Sequence, residues 1–368
     1  MLPSHGANPH ALLQQLKVSE KESLLDFSVN INPLGTPESI VRSWPEWKES
    51  AFAYPSVRAE SLTNGLASRL FVEPDEILVT NGAAEAFFLI ASSLAGKKSA
   101  IVEPTFVEYR QACEAFGCQV MSVPLEEKEG WKWSLSLLLD AIPLVDALWV
   151  CHPNNPTGVM YPKEQWELLL EKAKIYNTTI IVDEAFIDFA YEPIDFIPYL
   201  KQGYPVILVR SMTKMFHIAG IRLGYVIASS SLIASLAKRQ PPWSVNGVAQ
   251  QIGLACLEES SFVRHTVQFV QKERQWLKNE LELLGLKTSP SAANFLLCSI
   301  PKGWQSREWL TNLANEGIIV RHTENFRGLD GRFMRIAVRT RKENEQLLRV
   351  IRKAEATVQH AKEIGIDP

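Results

Sequence analysis

TIIVDEAF at residues 179–186, followed by VILVRS at 206–211 and LGYVIAS at 223–229, decides the fold. Each run is nearly continuous in Ile, Val and Leu, the pattern of a strand buried on both faces rather than one alternating between core and water. Toward the N-terminus the same kind of run recurs as ALWVCHP (147–153), CQVMSV (118–123), SAIVEP (99–104) and ILVTN (77–81), with longer helical patterns between them. Together these seven runs between Glu76 and Ser229 predict an α/β fold in which a mostly parallel seven-stranded sheet lies between helices. Ligands of such sheets sit beyond the carboxyl ends of the strands. The residues that follow the runs, Asn81, Asn155, Asp183 and Lys214, are therefore the first candidates for chemistry.

Past Pro241 and Pro242 the pattern changes to a helical stretch, Ala249 to Leu284, and then to a mixture of strands and helices. That mixture comprises ANFLLCSI (293–300), a helix at Ser306–Glu316, GIIVRHT (317–323), FMRIAVRT (333–340) and a last helix from Lys342. It predicts a smaller α+β domain. The expected division is an N-terminal segment, 1–45, packing on the small domain or into the cleft, a large domain, 46–245, and a small domain, 246–368. A chain of 368 residues with 46% hydrophobic content can bury the cores of two such units.

A formal net charge of -3 gives no global attraction to nucleic acid or to an anionic membrane, so a small molecule is the expected partner. Cys113, Cys118, Cys151, Cys256 and Cys298 are odd in number and contain no CxxC pair, which argues against a disulfide framework and a zinc ribbon and fits a reducing cytoplasm. His217, His265 and His322 lack metal-ligand spacing, and no metal is expected. The start MLPSHGANPHALLQQL lacks the cationic beginning and apolar stretch of a secretory signal. The apolar windows Ala83–Ala95 and Ala141–Val150 are interrupted by Glu85 and Asp146 and are too short to span roughly 30 Å of hydrocarbon.

Lys214 follows the strand VILVR, so its amine should project into a cleft at the strand end. Ser211 and Thr213 bring hydroxyls to the same point, and Arg222 offers a planar fork suited to a phosphate dianion. Asp183 delivers a carboxylate from the end of TIIVDEAF. An isolated Asp there reads as a strand-end cap; beside a pyridine ring, a fixed anion would keep the ring nitrogen protonated. Asn155, in HPNNPTG, reads either as a turn residue or as a donor to a phenolate oxygen. In TNGAAEAF the small residues Gly82, Ala83 and Ala84 open a helix whose N–H groups could take a phosphate, although an ordinary βα turn looks similar. Neither a Walker loop nor GxGxxG is present. Phe106, in EPTFVEY, is either core or an aromatic face for a planar ring.

TNGAAEAF, PNNPTG, IVDEAF, SMTKMFHIAGIRLGY and MRIAVRT stand in the order in which similar motifs occur in fold-type I aminotransferases, and the resemblance covers nearly the whole chain. It implies pyridoxal 5'-phosphate held as a Schiff base on Lys214, with Asp183 at the pyridine nitrogen, Asn155 at the phenolate oxygen and Phe106 stacked on the ring. It further implies Gly82, Ala83, Ala84, Ser211, Thr213 and Arg222 at the cofactor phosphate, and Arg335 at the substrate carboxylate. Tyr54, in AFAYPS, would reach the partner's cofactor phosphate in a homodimer.

Within that family the chain resembles histidinol-phosphate aminotransferases and, more closely, the threonine-phosphate decarboxylases of cobalamin biosynthesis. The openings SHGAN (4–8) and DFSVNINPLG (26–35) are similar to the decarboxylase start, which implies that His5, Gly6 and Asn32 face the substrate. Phe186 in DEAF replaces the tyrosine of DEAY and cannot donate to the phenolate oxygen. Arg321, Arg335 and Arg339 suit a substrate with both a carboxylate and a phosphate, whereas Arg341 reads as a solvated helix start. The implied reaction is decarboxylation of O-phospho-L-threonine to (R)-1-aminopropan-2-ol O-phosphate and carbon dioxide. Transamination of histidinol phosphate or a related amine is the first alternative. A non-catalytic sensing domain is the second, and the sequence shows no basic helix-turn-helix in its support.

Overall fold

The structure, a computed structural model, describes residues 2, 3 and 5–363; Ser4 of SHGAN and the C-terminal residues 364–368 lie outside the described residues. The central sheet contains β1 (Ile77–Thr80), β2 (Lys98–Glu103), β3 (Gln119–Pro124), β4 (Ala147–Cys151), β5 (Thr179–Asp183), β6 (Val206–Ser211) and β7 (Gly224–Ile227). Its spatial order is β1-β7-β6-β5-β4-β2-β3. The strands run parallel except β7, which is antiparallel to both β1 and β6.

Alternate residues of the central strands enter two cores, which is why these runs carry little polar alternation. Leu148, Val150, Ile180, Val182 and Leu208 pack on one side. Trp149, Ile181, Ile207, Val209 and Val226 pack on the other against Ala86, Phe87 and Ile90 of α1 (Gly82–Ser93) and against Tyr109 and Cys113 of α2 (Glu108–Ala115). Only β3, at the sheet edge, is largely exposed or half-buried.

The helical stretch that the sequence presents as one is two helices, α3 (Gly247–Leu257) and α4 (Ser260–Leu283). Glu259 between them leaves helical geometry, at φ -88° and ψ 36°. The break lets Ala249, Ile252 and Cys256 of α3 enter the large core, while Leu277 and Leu281 of α4 enter a third core.

That third core is built around a three-stranded antiparallel sheet of β8 (Phe295–Ser299), β9 (Arg321–His322) and β10 (Phe333–Ala337), in the order β9-β10-β8. Its register sets Arg321 opposite Arg335. Leu296, Met334 and Ile336 of the sheet meet Leu347 and Ile351 of α5 (Arg341–Glu363). Leu12, Leu13 and Phe27 of the N-terminal segment complete the core, and Leu25–Asp26 pairs in parallel with Ile318–Ile319. Full burial of a side chain such as Leu13 or Phe27 stabilises by about 1.5–3 kcal/mol, so the segment is fastened by packing as well as pairing.

All five cysteines are buried and free. Among the described residues, no helix is long and apolar enough to cross a membrane. No group of three or more His, Cys, Asp or Glu side chains among them could hold a metal ion.

Candidate active site

Lys214 stands in the turn that leaves β6, and its Nζ donates to Ser211 Oγ at 3.1 Å. Ser211 Oγ in turn lies 2.8 Å from Thr213 Oγ1. Burial lowers the Lys214 amine from its usual range to about 8, the positive Arg222 adding to the effect and the Asp183 and Glu108 carboxyls opposing it. Desolvation thus leaves the amine far closer to its neutral, nucleophilic form than a surface lysine would be.

Asp183 ends β5, where its register partner is Cys151 of β4. The Asp183 carboxylate is fully enclosed. It accepts from the Tyr109 hydroxyl, from Ala185 N at 2.8 Å and from Cys151 Sγ at 3.8 Å. Burial raises its pKa, and those three donors together with Lys214 oppose the rise. All three hydrogen-bond donors are uncharged. A buried carboxylate so surrounded is suited to a cationic N–H, which is what a protonated pyridine nitrogen presents.

The anion cradle lies between α1 and β7. Gly82 has φ +77°, and a Cβ there would fall 2.5 Å from Arg222 Nη2. Arg222 itself is in the left-handed region, at φ +60°. A Cβ on Gly224 would meet Ala83 N at 2.8 Å, so the start of α1 lies flush against β7. The N–H groups of Ala83 and Ala84, the hydroxyls of Ser211 and Thr213 and the Arg222 guanidinium are donors of the kind that suit a phosphate at a helix N-terminus. The chemistry of these residues fits pyridoxal 5'-phosphate: the donor set would suit its phosphate, the Lys214 amine its aldehyde carbon and the Asp183 carboxylate its ring nitrogen. Phe106 lies edge-on to Phe87 and Tyr109, at 6.3 and 5.9 Å between centroids, and is half-buried beside this arrangement.

Asn155 follows β4 and is buried. Its Oδ1 accepts from Arg335 Nη1 at 2.5 Å, which leaves its Nδ2 as the donor end for a ring oxygen. Arg335 Nη2 donates to Ser28 O at 2.9 Å, and in the amide orientation that satisfies both partners Asn30 accepts from Arg335 Nε and Nη1 at 3.1 Å each. Burial, reinforced by nearby Arg321, works against the charge on Arg335, and Asp26 supports it. Arg321 is also buried; its Nη1 donates to His322 O and its Nη2 to Asn325 Oδ1, both at 2.7 Å, and it lies 5.0 Å from the Phe326 ring centroid.

His5 Nδ1 lies 3.3 Å from Glu108 Oε1, and burial and Arg321 both lower the His5 pKa. Gly6 presses on the residue that accepts from Arg335, since a Cβ there would fall 2.6 Å from Ser28 O. Tyr54 is 84% exposed, its ring 5.0 Å from that of Trp243.

Two side chains assigned to the substrate from sequence have other employment. Asn32 is fully buried beneath the lysine loop: its Nδ2 donates to Met215 O at 2.7 Å and Thr266 Oγ1 at 2.9 Å, its Oδ1 accepts from Leu34 N at 2.9 Å, and its N donates to Lys214 O at 3.0 Å. Both ends of its side-chain amide are thus engaged by the lysine loop, by α4 and by its own turn. Arg339 is paired with Glu343 at 2.6 Å and donates to Asp26 O at 3.0 Å, because the start of α5 presents Glu343 one turn on. Sequence reasoning also missed Tyr109, Glu108, Ser28 and Asn30. The spacing of Phe106 and Tyr109, three apart at a helix start, was the available signal for Tyr109.

Residues 22–351 match the family Aminotransferase class I and II. The chain is 35% identical over 351 residues to the threonine-phosphate decarboxylase of Salmonella typhimurium, covering 95% of this chain and 96% of that protein. It is similar to the histidinol-phosphate aminotransferase structure from Clostridium acetobutylicum, with a TM-score of 0.85, 31% identity and coverage of 91% of this chain and 100% of the other. It is also similar to the L-threonine-O-3-phosphate decarboxylase structure from Porphyromonas gingivalis, with a TM-score of 0.82, 26% identity and coverage of 90% and 100%. By this match the chain belongs to the class I and II aminotransferase family, whose enzymes depend on pyridoxal 5'-phosphate.

Proposed function

We propose that the protein decarboxylates O-phospho-L-threonine, releasing carbon dioxide and (R)-1-aminopropan-2-ol O-phosphate in cobalamin biosynthesis. The observation that carries this reading is the pair of buried arginines, Arg321 and Arg335, set opposite each other on β9 and β10. Two guanidiniums suit a substrate with two anionic groups, a carboxylate and a phosphate. The 35% identity to a threonine-phosphate decarboxylase over 95% of the chain supports it.

When bound, pyridoxal 5'-phosphate supplies an electron sink for the carbanion that forms at the substrate's α-carbon. Asp183 holds the charge that keeps the ring nitrogen protonated. Arg321 and Arg335 would hold the substrate's two anionic groups and so set the orientation of the bonds at its α-carbon, which decides the one that is lost. Lys214, as a free amine or ammonium, is positioned to return a proton to the α-carbon. Within this reading, unit 46–245 holds the cofactor, and segment 1–45 together with unit 246–368 holds the substrate anions. The working form is a cytoplasmic homodimer, with the exposed Tyr54 directed to the partner's cofactor phosphate.

Histidinol-phosphate transamination is the second reading, favoured by the 31% identity and TM-score of 0.85 to such an aminotransferase. Labelled O-phospho-L-threonine separates the two. Release of labelled carbon dioxide with the cofactor's aldehyde absorbance retained is the expected result. Conversion to the amine form of the cofactor without carbon dioxide release would reject decarboxylation and favour the aminotransferase.

A further inference from the structure

Glu108 opens α2, one residue before the tyrosine that donates to Asp183. Its side chain is 14% exposed, and Oε1 lies 3.3 Å from His5 Nδ1. Oε2 is buried and, among the described residues, has no hydrogen-bond partner. Leaving a buried polar atom unsatisfied is costly, so such an oxygen in a ligand cleft points to a partner that arrives with the ligand.

Four charged or titratable groups act on this carboxyl: His5 from the N-terminal segment, Asp183 from β5, Lys214 from the turn after β6 and Arg321 from β9. Burial, with Asp183 acting in the same direction, raises its pKa to about 7, while its own backbone N–H, Arg321 and Lys214 oppose the rise. The carboxyl therefore sits where a modest change in local charge decides its protonation. An oxyanion arriving beside Arg321 adds negative charge, which disfavours ionised Glu108 and favours the neutral acid. Only the neutral acid can donate a hydrogen bond to an oxyanion; the ionised form would repel it.

We propose that Glu108 is a binding and specificity residue of the cleft: steadied by His5, it takes up one proton from solvent as a tetrahedral oxyanion settles beside Arg321, and donates it through Oε2 as a hydrogen bond to that anion. The inference rests on the reading of this end of the cleft as an anion subsite, and not on which substrate bond is broken. It deepens that reading by making the subsite selective for ligands with an acceptor oxygen at this position.

The test is titration of the cofactor-loaded protein with inorganic sulfate, which stays dianionic near neutral pH, so that any proton taken up goes to the protein. Calorimetry at pH 7.5 in two buffers of different ionisation heat counts those protons. Uptake of a substantial fraction of one proton per sulfate is expected, with affinity falling toward tenfold per pH unit once Glu108 is ionised in the free protein. Glu108→Gln keeps a donor but cannot titrate, and should bind sulfate with no proton uptake and little pH dependence. Glu108→Ala should bind it about tenfold or more weakly at pH 6.5. Proton uptake in Glu108→Gln equal to that of the unmodified protein would overturn the proposal, as would sulfate binding without uptake or no sulfate binding at all. A protein that passes these tests yet fails to release carbon dioxide from O-phospho-L-threonine would lose the proposed reaction and keep this role for Glu108.

Discussion

Arg335 Nη1 reaches Asn155 Oδ1 at 2.5 Å, across 180 residues of sequence. One contact thus joins the small sheet to the loop that follows β4, and it links the residue assigned to a substrate carboxylate with the residue assigned to the cofactor ring. A carboxylate that enters must share the guanidinium with Asn155, Asn30 and Ser28 O. On the proposed reading, substrate entry and ring contact would therefore be coupled through this hydrogen bond.

The arginines should differ sharply under substitution. Arg335→Ala and Arg321→Ala each remove a buried charge-assisted donor and should weaken binding of O-phospho-L-threonine by roughly 2 kcal/mol or more, over tenfold. Arg339→Ala should change binding little, because its guanidinium is already paired with Glu343, and should cost at most about 1 kcal/mol of stability for so partly exposed a pair. Ligand titration and denaturant melts on the three variants check this, and tight binding to Arg335→Ala would misplace the substrate.

Lys214→Ala should lack both turnover and the covalent link that borohydride makes permanent, as read by peptide mass. In the cofactor-free protein the amine has a pKa near 8 rather than 10.5, so its neutral fraction grows as pH rises through 8. Cofactor attachment should accordingly quicken up to about pH 8 and then level off, whereas a solvated lysine would keep gaining rate toward pH 10. Stopped-flow absorbance on cofactor-free protein follows the rise.

Asp183→Asn removes the fixed charge but keeps the shape, and turnover should fall by several orders of magnitude with cofactor still bound. Tyr109→Phe tests the support beneath it. That variant loses one hydrogen bond to a charged group, worth about 1.5–3 kcal/mol, and should lower the rate well short of the loss in Asp183→Asn. Steady-state rates at saturating cofactor give both numbers.

Gly82→Ala combines a left-handed backbone, costing about 1–2 kcal/mol for an L-residue, with a Cβ 2.5 Å from Arg222 Nη2. The guanidinium must swing away, and cofactor affinity should drop at least tenfold in an equilibrium titration. An unchanged dissociation constant would remove Arg222 and the α1 start from the phosphate site.

The large sheet was legible because strands buried on both faces need apolar residues at every position, and the placement of Lys214, Asp183 and Asn155 at or just past strand ends was legible with it. The internal hydrogen bonds of Asn32 were not legible, for a physical reason. Its partners Met215 and Thr266 lie 183 and 234 residues away, and nothing in NINPLG announces a buried brace. Arg339 carried a nearer clue, since Glu343 stands one helical turn beyond it. Tyr109 and Glu108 were hidden by their ordinary appearance: a phenol and a carboxylate at a helix start, whose meaning depends on which strand end the helix overlooks.

The pairing of Arg321 with Arg335 in the small sheet has a further consequence. Residues directly opposite in an antiparallel pair share one face, where like charges oppose each other. Arg321 already works against the charge on Arg335; on the proposed reading the substrate's carboxylate and phosphate, one at each guanidinium, would relieve that repulsion. The ligand would then stabilise the small sheet as well as occupy it, because whatever binds the folded state alone also stabilises it. On that reading, a substitution at either arginine would shift ligand affinity and the stability of the small sheet together.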